Sequence, residues 1–308
     1  MRYKVYKLTF TSGIHIGNGT LPSSAAAIHA DTLFSAMCIE ALNIGGEELL
    51  DELVSNAKEN RLRISDALPY IADTLYLPKP MCRAEKSAED PALKKEFKKM
   101  TYIPSGKMRE YLAGELDPIA VNRELALLGK GSLYQKVSIK EDADNELYTI
   151  GVYEFNKDCG LYVIIGFEDE ETDWLIGDIF DALQYSGLGG KRTSGFGRFS
   201  AGVRALDSDL ERALTCSGDR YMSLSVSMAK TDELESLLEK QETAYTLIKR
   251  GGFVQSASYS DKPLKKRDLY MFAPGAVFGS AFDGDVFDVA KDGAHAVYRY
   301  AKPMLMSI

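Results

Sequence analysis

Cysteine and histidine are scarce in this 308-residue chain, with four of the first and three of the second. Cys38, Cys82, Cys159 and Cys216 lie far apart, with no CxxC pair and no Cys/His cluster. That excludes a standard zinc site and any disulfide framework, and it reads as a reduced, cytoplasmic protein with no metal and no cofactor. No apolar run approaches the ~20 residues of a membrane span, and the opening MRYKVYKLTF lacks a signal peptide's apolar block. Acidic residues are missing altogether between Ala182 and Leu206, where four cations stand: Lys191, Arg192, Arg198 and Arg204.

That acid-free window holds the most informative stretch, GLGGKRTSGFGRF from Gly187 to Phe199. Gly187, Gly189, Gly190, Gly195 and Gly197 surround Lys191, Arg192, Thr193 and Ser194, and Arg198 closes the run. Glycines let a backbone approach a ligand closely and let successive N–H groups face an anion, so a phosphate chain is the natural ligand. A Walker A loop is excluded because Tyr185 stands where its first glycine belongs and Arg192 follows the lysine. The dinucleotide fingerprint fails at Arg192, where its third glycine is required. The competing reading is a glycine turn with solvated charges.

At 308 residues and 45% hydrophobic composition the chain is long enough for two domains. A net charge of −8 argues against a free-standing nucleic-acid scavenger, but not against a specific binder with a local basic groove. Tyr6, Leu8 and Phe10 alternate in a first strand. A Gly/Ser/Ala-rich loop over 11–28 leads to a helix that Asp31 is placed to cap, with Leu33, Phe34, Met37, Cys38, Ala41 and Leu42 as its buried face. Residues 82–150 read as an insertion, and 161–167 (LYVIIGF) as a central strand. A helix over 173–185 precedes the glycine loop, and a strand begins near Phe196. The alternation of Met222, Leu224, Val226 and Met228 with serines predicts a half-buried strand opening a second unit. A second basic region, with six cations against one acid, runs from Lys249 to Arg267.

Together these features resemble the RAMP superfamily of CRISPR effector proteins, most closely the type III-A (Csm) subunit that caps the 5′ end of the guide RNA. The resemblance is carried by His29-Ala-Asp31-Thr32-Leu33-Phe34-Ser35-Ala36, Leu77-Pro78-Lys79-Pro80, and Val121-Asn122-Arg123 with Gly131-Ser132-Leu133-Tyr134. It extends through the glycine loop, Lys249-Arg250-Gly251-Gly252-Phe253 and Met271-Phe272-Ala273-Pro274-Gly275. It implies an α+β fold of two ferredoxin-like (RRM-related) domains, over 1–210 and 211–308. It also implies a role without catalysis: holding the repeat-derived 5′ handle of the crRNA and joining the large polymerase-like subunit to the backbone RAMP subunit.

The candidate RNA contacts are His15, Gly17, Asn18, His29, Arg123, Tyr134, the loop from Gly187 through Gly190 to Gly195, Arg198, Lys249 and Arg250. Each has a plain alternative. His15 and His29 could satisfy loop carbonyls, Tyr134 could pack in a core, and Lys249 and Arg250 could be a solvated strand end. A metal-independent endoribonuclease using histidine or tyrosine acid–base chemistry is the rival function. The long segments 11–28, 82–150 and 251–267 are expected to be ordered by partners.

Overall fold

The computed structural model describes residues 1–82, 90–138, 145–240, 242–256 and 258–308. A seven-stranded antiparallel sheet organises it. The strand Cys159–Phe167 lies at its centre, paired on one side with Arg2–Phe10 and on the other with Leu62–Ile64 and Leu68–Ile71. Phe199–Arg204 adds to Arg2–Phe10 at one edge, while Thr74–Pro78 and Tyr102–Pro104 extend the other. With the helices Ala30–Lys58 and Glu170–Ser186, the chain runs strand–helix–strand–strand–helix–strand.

The central strand is apolar throughout because both sheet faces are covered. Leu161, Val163 and Ile165 pack with Leu33, Phe34, Met37, Leu175, Ile179 and Leu183 of the two helices. Tyr162 and Ile164 pack instead with residues from 68–121 and with Met222, Leu224, Met304 and Met306. The helix face departs from expectation at Leu42, which is 46% exposed, and the helix is broken at Gly46, whose positive φ interrupts the α geometry. Asp169 caps the second helix by accepting from Thr172 N at 2.8 Å.

Two expectations are corrected. Asp31 is not a cap: His29 occupies that position, and Ala30 N donates instead to Asp66 Oδ1 at 2.8 Å. Nor is 222–228 half-buried, since Ser223, Ser225 and Ser227 are as inaccessible as Leu224 and Val226 between them. Regular strand ends at Ser223, and the serines satisfy the bent backbone. Ser223 Oγ donates to Ser225 O, Ser225 Oγ to Lys302 O, and Met304 N to Ser225 Oγ. Burying hydroxyls costs little when each finds a partner.

The expected insertion contains the helices Pro91–Lys99, Met108–Ala113 and Pro118–Leu125. It also contributes the sheet-edge strand Tyr102–Pro104 and begins a long hairpin of Gly129–Ser138 and Glu146–Phe155, which crosses residue 150. The segment 11–28 is tied down by the chain itself, through a small hairpin (Gly17–Asn18 with Thr20–Ser24) and backbone hydrogen bonds between Ile14 and Tyr153. Beyond 217 lie a three-stranded sheet (Tyr221–Ser223, Val277–Phe278, Leu305–Ser307) and two strand pairs, Leu247–Arg250 with Leu269–Phe272 and Val286–Asp288 with Tyr298–Tyr300.

Candidate nucleic-acid interface

The glycine loop sits where three backbones converge: the loop itself, the segment after the first strand, and the long hairpin. Gly190 N donates to His15 O at 2.8 Å, Gly197 N to Gly13 O at 2.9 Å and Leu188 N to Gly197 O at 2.9 Å. A Cβ at Gly189 would stand 2.6 Å from His15 O, and one at Gly197 only 1.9 Å from Leu188 O. These glycines therefore serve chain-to-chain packing. The expectation that the backbone of Gly187 to Gly190 faces a phosphate is corrected at three positions, because the N–H groups of Gly187, Leu188 and Gly190 are donated within the fold. Gly195 differs: its φ is +89° and open space lies where a Cβ would be.

Phe196 anchors the loop. Its buried ring packs with Ile150 and Val152, the Tyr134 ring meets it edge-on at 5.6 Å, and Lys136 Nζ lies 5.2 Å from its centroid. With Phe196 turned inward, Lys191, Thr193, Ser194 and Arg198 are turned outward and exposed. Lys191, itself at a left-handed φ of 58°, places Nζ 4.9 Å from the Tyr148 centroid. Arg192 is drawn the other way, its guanidinium 3.8 Å from the buried Glu40 carboxylate and 3.4 Å from Gly187 O. The result is a platform of exposed cations and hydroxyls beside an exposed tyrosine. Tyr134 donates to the Glu154 carboxylate, which, with Ser132, holds that carboxyl below its usual range.

The other candidates divide. His15 is buried with Nδ1 2.7 Å from Gly151 O; a carbonyl only accepts, so Nδ1 carries the proton. Gly17 is exposed and lies with Asn18 in the small hairpin over the same region. His29 lies 2.6 Å from Asp66 Oδ2, so the two histidines are held by different partners and form no acid–base pair with each other. Arg123 is exposed on Pro118–Leu125, and among the described residues no hydrogen bond or ion pair joins it to the loop. Lys249 pairs with Asp268 at 2.8 Å.

Arg250 is directed inward. It donates to both oxygens of Asp31, at 3.0 and 2.7 Å, and Arg299 reaches Asp31 as well. Burial alone would raise the Asp31 carboxyl, but Arg250 and Arg299 hold it below the usual range. Burial pushes Lys266, beside this cluster, down. Asp31 is thus the charged joint between the first helix and the C-terminal strands. Asp66 is a second joint, accepting from Ala30 N, His29 and Val226 N. Neither Asp66 nor Tyr148, Phe196 and Gly151 was singled out from the sequence; only the glycines flanking Phe196 could have drawn attention to it. Among the described residues no group of three or more His, Cys, Asp or Glu could hold a metal ion, and no helix is long and apolar enough to cross a membrane.

A mixed α/β fold with several antiparallel sheets, and a glycine-rich loop laid over a hairpin, define a class. Residues 7–200 match the RAMP superfamily model, and 217–308 match the CRISPR Csm4 C-terminal domain. The curated relatives include the CRISPR system Cms protein Csm4 of Mycobacterium tuberculosis, 36% identical over all of this chain and 98% of the relative. The Csm4 of Streptococcus thermophilus is 34% identical over 100% and 99%. The chain belongs to the Csm4 family of type III-A CRISPR proteins within the RAMP superfamily. The fold matches a chain in the crystal structure of the Csm3-Csm4 subcomplex of the type III-A interference complex (TM-score 0.67, 22% identity, covering 100% of this chain and 99% of that one). It also matches the Csm1-Csm4 cassette in complex with pppApA (TM-score 0.63, 18% identity, covering 100% and 98%).

Proposed function

We propose that this chain is the non-catalytic RNA-holding subunit of a type III-A CRISPR effector. It grips the 5′ repeat-derived handle of the crRNA and bridges a large polymerase-like subunit to the backbone subunits, in the cytoplasm. The observation that carries this reading is the platform on which Lys191, Thr193, Ser194 and Arg198 are exposed around the inward-turned Phe196. Single-stranded RNA needs a cationic track for its phosphates and aromatic faces for its bases, and Tyr134 and Tyr148 border that track. Relatives captured together with Csm3 or with Csm1 support the bridging role.

The strand order of the first half, with Phe199–Arg204, Arg2–Phe10, Cys159–Phe167 and then Leu62–Ile71 side by side, supports a ferredoxin-like unit over 1–210. We read 211–308 as a second, more irregular one. Holding RNA without cutting it fits the separate engagement of His15 and His29.

The test is the variant Lys191→Ala/Arg198→Ala, measured with labelled repeat RNA across a salt series in EDTA. Each lost phosphate contact lowers the salt slope by about 0.7. The expected result is weaker retention, a slope reduced by about 1.4 and intact RNA. Unchanged affinity and slope would refute the platform, and cleavage in EDTA that disappears in His15→Ala would establish the nuclease reading instead.

A further inference from the structure

The helix Glu170–Ser186 carries a stripe that neither its packing nor RNA binding explains. Its inner face is occupied by Leu175, Ile176, Ile179, Phe180 and Leu183. On its outer face Glu171, Trp174, Asp178, Asp181 and Tyr185 follow one another at spacings of three and four, within about 80° of the helix circumference and over about 21 Å of its length. Trp174 is the only tryptophan in the chain and is 65% exposed, and Tyr185 is 85% exposed. Large aromatics standing free on a helix are what an interface core is made of.

The charges around them choose the occupant. Among the described residues no ion pair within the chain engages Glu171, Asp178 or Asp181, whereas Asp173 at the side is paired with Lys4. A polyanion would be repelled here, and a second copy would set these acids against themselves. A basic protein segment meets both needs, because arginine and lysine pair with carboxylates and also lie over aromatic faces. Addition of a strand to the neighbouring edge, Phe199–Arg204, is opposed because Ala201 N already donates to Gln184 Oε1 at 2.9 Å. The contact is therefore made by side chains.

We infer that the Trp174–Tyr185 stripe is the docking face for an arginine- or lysine-rich segment of a protein partner in the effector, an inference that rests on the proposed function for the partner's place. Trp174 and Tyr185 form the apolar and cation-binding centre, and Glu171, Asp178 and Asp181 give it charge selectivity. Tyr185 stands two residues before the glycine loop, whereas Trp174 lies about 16 Å back along the helix, so the Trp174 end of the stripe is the part that distinguishes a protein partner from RNA.

One labelled side chain reads this out. With 5-fluorotryptophan incorporated in this chain alone, Trp174 gives a single fluorine resonance. We expect that resonance to shift on adding either the large subunit or the backbone subunit from the same effector, and on adding octa-arginine, but not on adding repeat RNA. Asp178→Lys/Asp181→Lys should weaken octa-arginine and partner binding at least tenfold, while Glu235→Lys/Glu239→Lys, on and just beyond the separate helix Thr231–Leu238, leaves both unchanged. All these side chains are exposed, and the side-chain hydrogen bond lost, from Gln184 Nε2 to Asp181 Oδ1 at 3.0 Å, is at the surface, so the variants are expected to fold, which their melting temperatures check. An unmoved resonance in a complex that size-exclusion chromatography shows to be assembled would overturn the inference, as would a shift caused by RNA. Failure of both subunits to assemble would count against the proposed function, and octa-arginine would still decide the stripe: no shift there overturns it.

Discussion

At the scale of single residues, Asp31 is the position on which most depends. Arg250, Arg299 and Lys266 bring three cations to one buried carboxylate, and among the described residues Arg299 Nε finds no hydrogen-bond partner even so. Removing the carboxylate leaves buried guanidinium groups facing one another, the arrangement that costs most when an ion pair is broken. Asp31→Asn should therefore destabilise the protein by about 3–5 kcal/mol in urea unfolding, with the secondary structure of the folded state retained. The same pairing sets a pH dependence. The folded-state carboxyl is held below its unfolded value of about 3.9, so the contribution is complete above that pH and fades as the pH falls through the lower folded value. Acid titration of stability should be flatter in Asp31→Asn than in the wild type. An equally steep acid loss would show that Asp31 is not linked in this way.

At the scale of elements, the glycine loop shows how one motif carries two kinds of glycine. Gly197 lies at φ +78° against Leu188 O, so any side chain collides with backbone, whereas Gly195 lies at φ +89° in open space. Gly195→Ala should cost about 1 kcal/mol, the strain of a left-handed alanine alone. Gly197→Ala should cost several times more and lower RNA retention as well, because Leu188 must move and with it the turn that presents Lys191. Equal effects at the two positions, measured by thermal melting, would contradict this division. The motif was legible in the sequence because glycine spacing and charge are local properties; that most of its N–H groups are spent inside the fold was not. Legible too were the helix, expected over 173–185 and observed over Glu170–Ser186, and the central strand, whose periodicities are undisturbed. The direction in which Arg192 and Arg250 point was not legible, since Glu40 and Asp31 lie far away in sequence. Nor was the burial of Ser223, Ser225 and Ser227: an alternating pattern signals one wet face only where no other layer covers it, and here the C-terminal segment at Lys302 and Met304 meets the serine side.

At the scale of the whole molecule, the two halves behave as one body. Each of the two main cores draws on both: Val226, Met271 and Tyr300 join the helix-side core, and Met222, Val277 and Met306 join the opposite one. Polar joints cross the same boundary, with Arg63 reaching Asp283 at 2.6 Å, Tyr300 accepting from Ile64 N at 2.8 Å, and Val226 N donating to Asp66. Such a boundary is unlike a linker between independent domains, where few contacts cross. Calorimetry should accordingly show one transition in which the van't Hoff and calorimetric enthalpies agree. The fragment 1–210 expressed alone should aggregate, because it would expose Leu68, Tyr162 and Ile164 on the uncovered side of its sheet. Two resolved transitions, or a monomeric and cooperatively melting 1–210, would show the halves to be separable. A subunit that unfolds as one piece is suited to hold two protein partners in fixed relation, since a displacement at one face is carried to the other through packed side chains and not absorbed in a hinge.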